Sequence, residues 1–235
     1  DYRYRGLTQS NYQPAIQGGF DYAHESGFYI GNWNSSISWI GDQNSTAGGT
    51  AGNNVSSNIE MDFYGGFKKE LIAPGFASDF GVLQYYYPTT GFKSSYMLNP
   101  NTTELYAAQN FTFGPVTGFA KVSYAVSTLF GTVNSSGSYY PDLTANYDTG
   151  VWGLSVNAHV GYQKIAGQNV IAGVPTASYT DWKLGLTKDF GGGLSLAAAY
   201  IGTNAAKSGS TYAYSSPSGK NLGGSTGIVS LTKTF

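Results

Sequence analysis

The sequence predicts an all-β protein: one transmembrane up-and-down antiparallel β-barrel of about twelve strands, a single domain over residues 1–235, with both termini periplasmic. Three observations predict it. Segments of about ten to fourteen residues alternate apolar and polar side chains along most of the chain. Short turn signals alternate strictly with long polar connections, the known asymmetry between periplasmic turns and outer loops. Charged residues are 11% of the chain, against about 25% in ordinary globular domains; a wall that faces hydrocarbon has little need of charge.

The elements are taken in order. Residues 1–9 alternate, with Tyr2 and Tyr4 on one face and Arg3 and Arg5 on the other, and predict a first strand. Residues 14–25 predict a second, with Ile16, Gly18, Phe20 and Tyr22 opposite Gln17, Gly19 and Asp21, closed by the tight turn Ser26-Gly27. Residues 28–40 predict a third, in which Tyr29, Trp33, Ile37 and Trp39 oppose Asn32, Asn34, Ser36 and Ser38. A long Gly/Asn/Ser/Thr stretch, 41–55, follows. In 57–71, Ile59, Met61, Phe63 and Phe67 oppose Glu60, Asp62, Tyr64 and Lys68.

Further strands are expected over 78–87, 102–113, 117–130, 138–147, 151–164, 178–190, 194–204 and 225–235. In the ninth, Trp152, Leu154, Val156, Ala158, Val160 and Tyr162 oppose Ser155, Asn157, His159, Gly161 and Gln163. The last ends on Phe235, as closing strands of outer-membrane barrels do, with Gly227, Val229, Leu231, Lys233 and Phe235 on one face. Phe67, Phe113, Trp152, Phe190 and Phe235 gather by short turns or the end of the chain, while Trp39, Tyr85, Tyr86, Tyr87, Tyr139 and Trp182 gather at loop ends. That placement predicts two aromatic belts. Lys69, Lys188 and Lys233 share the outward parity at periplasmic strand ends, where a long stem snorkels to the headgroups.

Composition narrows the function. A net charge of −1 gives nucleic acid no purchase. Without cysteine there is neither a disulfide framework nor a thiolate metal site. The run of apolar residues that a membrane helix needs, about 18, does not occur. The sequence opens on a strand-like segment without a signal-peptide pattern, and a processed form is expected.

The inward parity gathers the strand charge: Arg3, Arg5, Lys68, Lys121 and Lys183 against Asp21, Glu60, Asp62, Glu70, Glu104, Asp142, Asp181 and Asp189, a net of −3. Arg3 and Arg5 are expected beside Asp21 on the neighbouring strand. Two roles suit such a set: ion pairs that hold the wall together, or a charged constriction that selects solutes. His159 shares a face with Ser155 and Asn157 and invites comparison with a barrel lipid hydrolase. Residues two apart on one strand point in parallel rather than converging, so no catalytic residue is assigned. Asp42 and Asn44 in the first long loop are too few oxygen ligands for a calcium site. No metal and no cofactor are expected.

The segments D-Y-R-Y-R-G (1–6), Q-G-G-F-D-Y (17–22), S-G-F-Y-I-G-N-W (26–33), E-M-D-F-Y-G-G-F (60–67), Y-Y-Y-P (85–88), G-S-Y-Y (137–140), H-V-G-Y (159–162) and Y-T-D-W-K-L-G (179–185) resemble the TorF-type porin family of proteobacterial outer-membrane proteins. Lys233 departs from the aromatic more usual two residues before a terminal Phe. The resemblance implies location in the Gram-negative outer membrane, lipid as surroundings, and passive diffusion of small polar solutes or ions. The expected pore lining is Arg3, Arg5, Asp21, Glu60, Asp62, Glu104, Lys121, Asp142, His159, Asp181 and Lys183. A non-conducting barrel acting through its outer loops, alone or with a surface or homo-oligomeric partner, is the alternative.

Overall fold

The computed structural model describes residues 1–42, 56–88, 99–167 and 173–235. Its main element is one antiparallel sheet of eleven strands: β3 (Gln17–Ala23), β4 (Phe28–Ser36), β5 (Ile59–Ala73), β6 (Phe76–Tyr86), β7 (Thr102–Phe113), β8 (Val116–Ala125), β9 (Tyr139–Asp148), β10 (Leu154–Gln163), β11 (Tyr179–Asp189), β12 (Leu194–Thr203) and β15 (Thr226–Lys233). Each pairs with its neighbour in sequence, so the topology is the predicted up-and-down meander. Two small hairpins, β1 (Arg3–Tyr4) with β2 (Leu7–Thr8) and β13 (Lys207–Ser208) with β14 (Thr211–Tyr212), stand outside it. A single helical turn, α1 (Trp39–Asp42), follows β4.

Alternation wrote these strands, and it sorts their side chains. Phe20, Phe63, Phe80, Leu105, Val122, Leu143, Val160, Leu184, Leu196 and Val229 project outward and are exposed. Glu60, Asp62, Glu104 and Asp181 project inward and are buried. An exposed apolar belt on this scale marks a surface made for an apolar medium. The predicted tight turns join β3–β4, β5–β6, β7–β8, β9–β10 and β11–β12, and the long connections lie at the opposite end.

The first predicted strand is overturned. Residues 1–9 do not join the wall, which counts eleven strands among the described residues. They form the β1–β2 hairpin, whose two-residue turn Arg5-Gly6 has φ of 45° and 77°, the signature of a type I′ turn. The hairpin packs inside the long-connection end. Backbone bonds from Thr8 N to Leu222 O and from Ser38 N to Gln9 O fix it there, each 2.9 Å. Phe235 lies at the short-turn end, where Thr234 N bonds Gly193 O. The first and last described residues therefore stand at opposite ends of the sheet, not at the shared end expected.

The apolar core also sits in the long-connection mouth: Ile37, Ile40, Tyr85 and Tyr87, packed by Tyr2, Tyr4, Trp39, Leu83 and Phe130. Trp39, Tyr85 and Tyr87, expected in an outer aromatic belt, belong to this core instead. Tyr86, Tyr139 and Trp182 keep the outward place predicted for them, and at the other end so do Phe113, Phe190 and Phe235. Trp152 is exposed at that end but stands in the turn before β10, with φ of 55°. Lys233 Nζ reaches Gly192 O at 2.5 Å and lies 5.3 Å from the Phe235 ring, and Lys188 pairs likewise with Trp152 O and the Phe190 ring. On β4 the face opposite to the asparagines turns inward, since Tyr29 bonds Asp79 inside the wall. Asn44 lies outside the described residues, and Asp42 accepts from Ser38 Oγ at 2.9 Å.

Candidate functional site

The candidate site is the interior of the curled sheet, and its long-connection half is filled. Arg5, at the tip of the hairpin, donates to Glu104 of β7 at 2.6 Å and to Gln163 of β10 at 2.5 Å. Its guanidinium lies over the rings of Tyr4 and, from β9, Tyr140, at 4.8 and 4.3 Å. Tyr2 donates to Glu60 of β5 at 2.5 Å, and Tyr4 meets Tyr85 of β6 at 2.6 Å. Gly6 sits where any side chain would collide: a Cβ there would lie 2.7 Å from the Asp181 Cβ of β11 and 2.5 Å from Thr203 of β12. One hairpin thus touches strands around most of the wall. The sheet must be strongly curved for residues of β5 and β12 to meet the same short segment.

Arg3 and Arg5 are therefore not wall residues beside Asp21. Arg3 pairs with Asp1 at 2.6 Å and donates to the carbonyls of Gly6, Leu222 and Gly224. Asp21 accepts from Tyr64 at 2.6 Å. The other expected lining residues, Glu60, Asp62, Glu104, Lys121, Asp142, His159, Asp181 and Lys183, do share the inward parity of the wall.

Five of the acids accept hydrogen bonds from tyrosine hydroxyls. Glu60 accepts from Tyr2 and Tyr87, Glu104 from Tyr85 as well as Arg5, Asp79 from Tyr29, Asp21 from Tyr64 and Asp181 from Tyr140. Burial above all, and then the charge of Glu60, pushes the Tyr2 phenol well above the ordinary tyrosine range, so it stays protonated as the donor. His159 lies between two acids, Nδ1 3.0 Å from Asp142 and Nε2 2.8 Å from Asp181. Its remaining partners are Tyr140 and Thr144. Ser155 is not among them, and Asn157 bonds Asn146 and Thr187. The Ser155–Asn157–His159 set does not assemble.

The sequence reading missed Asp79 and these tyrosines. A signal was present for Tyr29, Tyr64 and Tyr140, and for Tyr106 beside them, because each of these lies against a strand glycine. Tyr64 covers Gly31, Tyr29 covers Gly66, Tyr106 covers Gly81 and Tyr140 covers Gly161, so that a Cβ on the glycine would fall within 3.0 Å of the ring or its hydroxyl. Glycine in a strand interior often marks such a close approach. Replacing Gly161 by Val is expected to displace Tyr140 from both His159 and Asp181 and to cost about 1–3 kcal/mol. Guanidinium unfolding of detergent-solubilised protein checks this, and an unchanged midpoint would show that Tyr140 does not depend on that space.

Towards the short-turn end a cavity of about 220 Å³ is lined by Asn146, Asn157, Lys183, Thr187, Ala197 and Ser230 among others. Among the described residues Lys183 has no ion-pair partner within 4.0 Å. Lys121, in register with Asp142, rests against the rings of Phe119 and Tyr106 at 5.5 and 6.0 Å.

Two solved structures share coarse features with the chain. One, a porin refined at 1.8 Å, is 16% identical over 81% of this chain and 56% of its own, with a TM-score of 0.42. The other, OccD1 (OprD), is 11% identical over 94% of this chain and 59% of its own, with a TM-score of 0.46. The chain spans less than two thirds of the length of either. No curated protein matches it. The profile of one bacterial family covers residues 1–235 in full, so the chain belongs to Gcw_chp, a family of bacterial proteins of unknown function.

Proposed function

We propose that this chain is an outer-membrane channel of porin type, related in its motifs to the TorF-type porins, through which small polar solutes or ions diffuse along a narrow charged lumen. The observation that carries the reading is the radial sorting of the wall: exposed apolar side chains outside, acids, tyrosines and amides inside. The proposed lining is Asp21, Glu60, Asp62, Glu104, Lys121, Asp142, His159, Asp181 and Lys183 of the wall, with Arg3 and Arg5 on the hairpin that narrows the mouth. Eight strands leave an interior just filled by side chains and sixteen leave a wide channel; a wall of this size suits a restricted passage.

Planar-bilayer recording tests the proposal. Discrete conductance steps are expected, with a reversal potential in a KCl gradient that reports weak cation preference, because acids outnumber bases inside. Replacing Lys183 by Glu at the wall of the open cavity is expected to shift that potential further towards cations. Absence of steps from correctly folded protein would favour a second reading, a closed barrel acting through its long connections. The hairpin seated in the mouth is the observation that supports this alternative.

A further inference from the structure

We infer that the wall of this protein is completed by one more strand of the same polypeptide, which lies between β3 and β15 and leads into Asp1. Among the described residues the outer edges of β3 and β15 are unpaired, and all seven residues of β3 are exposed on both faces. β3 runs from the long-connection end to the turn at Ser26-Gly27. β15 runs from the same end to Phe235. The two edges are therefore parallel to each other, whereas every other contact in the sheet is antiparallel.

One strand running in the opposite direction would pair antiparallel with both edges at once. It would finish at the long-connection end, which is where Asp1 stands. There Arg3 donates to Gly224 O, two residues before β15 begins, and residues 10–16 lead directly into β3. A second copy does not meet this requirement. Copies inserted in one direction present edges that all run the same way, so they can only pair parallel. The inference draws on the proposed membrane setting for one point, the several kcal/mol carried by each unsatisfied backbone group in lipid; an unprotected edge is an association hazard in water too.

Two measurements on the protein extracted from outer membranes test it. N-terminal sequencing is expected to place the mature terminus at least about nine residues before Asp1, the length of a tilted span; Asp1 as first residue overturns the inference. Cysteine at Gly18 is then paired with cysteine at Gly227, Val229 or Leu231, all of outward parity. A Cβ at Gly18 or Gly227 meets nothing within 4 Å, so these variants fold. With a strand between them the Cα atoms stand about 9.5 Å apart, beyond the roughly 7 Å limit of a disulfide, and no cross-link forms under oxidant. A disulfide within one chain would mean direct closure of the two edges, and a disulfide-linked dimer would assign them to a second copy; either overturns the inference. Failure to conduct would count against the channel and leave this result untouched.

Discussion

Replacing Arg5 by Ala is expected to release the hairpin from the mouth and raise single-channel conductance. Arg5 and Glu104 are 6% and 1% exposed and form the ion pair between the hairpin and β7. Removing one member of such a pair leaves the other charged and unpaired, at a cost of about 3–5 kcal/mol. At about 1.4 kcal/mol per tenfold, the docked state loses at least a hundredfold in population. Replacing Gly6 by Ala attacks the same contact without touching charge, since the new methyl would collide with Asp181 and Thr203 and the turn needs a positive φ. Both variants should give larger or longer openings than the parent in planar bilayers, with β content unchanged by circular dichroism. If both folded normally and conducted like the parent, the hairpin would not govern the passage.

The second large effect lies on the outer wall. Leu184, 58% exposed, is near the middle of β11 and projects outward. Replacing it by Arg is expected to cost about 2–4 kcal/mol of folding stability in lipid vesicles, as an arginine at the bilayer midplane does. Lys188, on the same face but at the turn end, is the control; Lys188→Arg should change stability by no more than about 1 kcal/mol. The measurement is reversible guanidinium unfolding in vesicles. Equal tolerance at both positions would mean that the exposed apolar belt does not meet hydrocarbon.

Much of the wall was legible because alternation is enforced on both faces at once. The period-two run from Leu154 to Gln163 has only one arrangement that keeps Val160 out and His159 in, so that strand and its orientation follow from sequence. The tight turns were legible from glycine, and their strict alternation with long connections set the topology. Residues 1–9 misled for a physical reason. A hairpin wedged between a curved wall and a core also presents alternate side chains to different surroundings, so Tyr2 and Tyr4 meet the core while Arg5 reaches Glu104. Only the pair Arg5-Gly6 betrayed the turn. The inward face of β4 was hidden because tyrosine and tryptophan suit lipid interfaces and carboxylate partners equally well. The acid–tyrosine contacts join residues as distant in sequence as Tyr29 and Asp79, which no local pattern encodes.

The hairpin's anchors lie far along the chain: Glu60, Tyr85, Glu104 and Gln163 are separated from their partners by 58, 81, 99 and 158 residues. Such contacts reward the chain only after long loops have been closed. The segment that emerges early from the ribosome is thus among the last to find its seat, and it waits until the strands that receive it are in place. Biogenesis then has a built-in order, in which the strands curl around a hollow interior before this hairpin stoppers it.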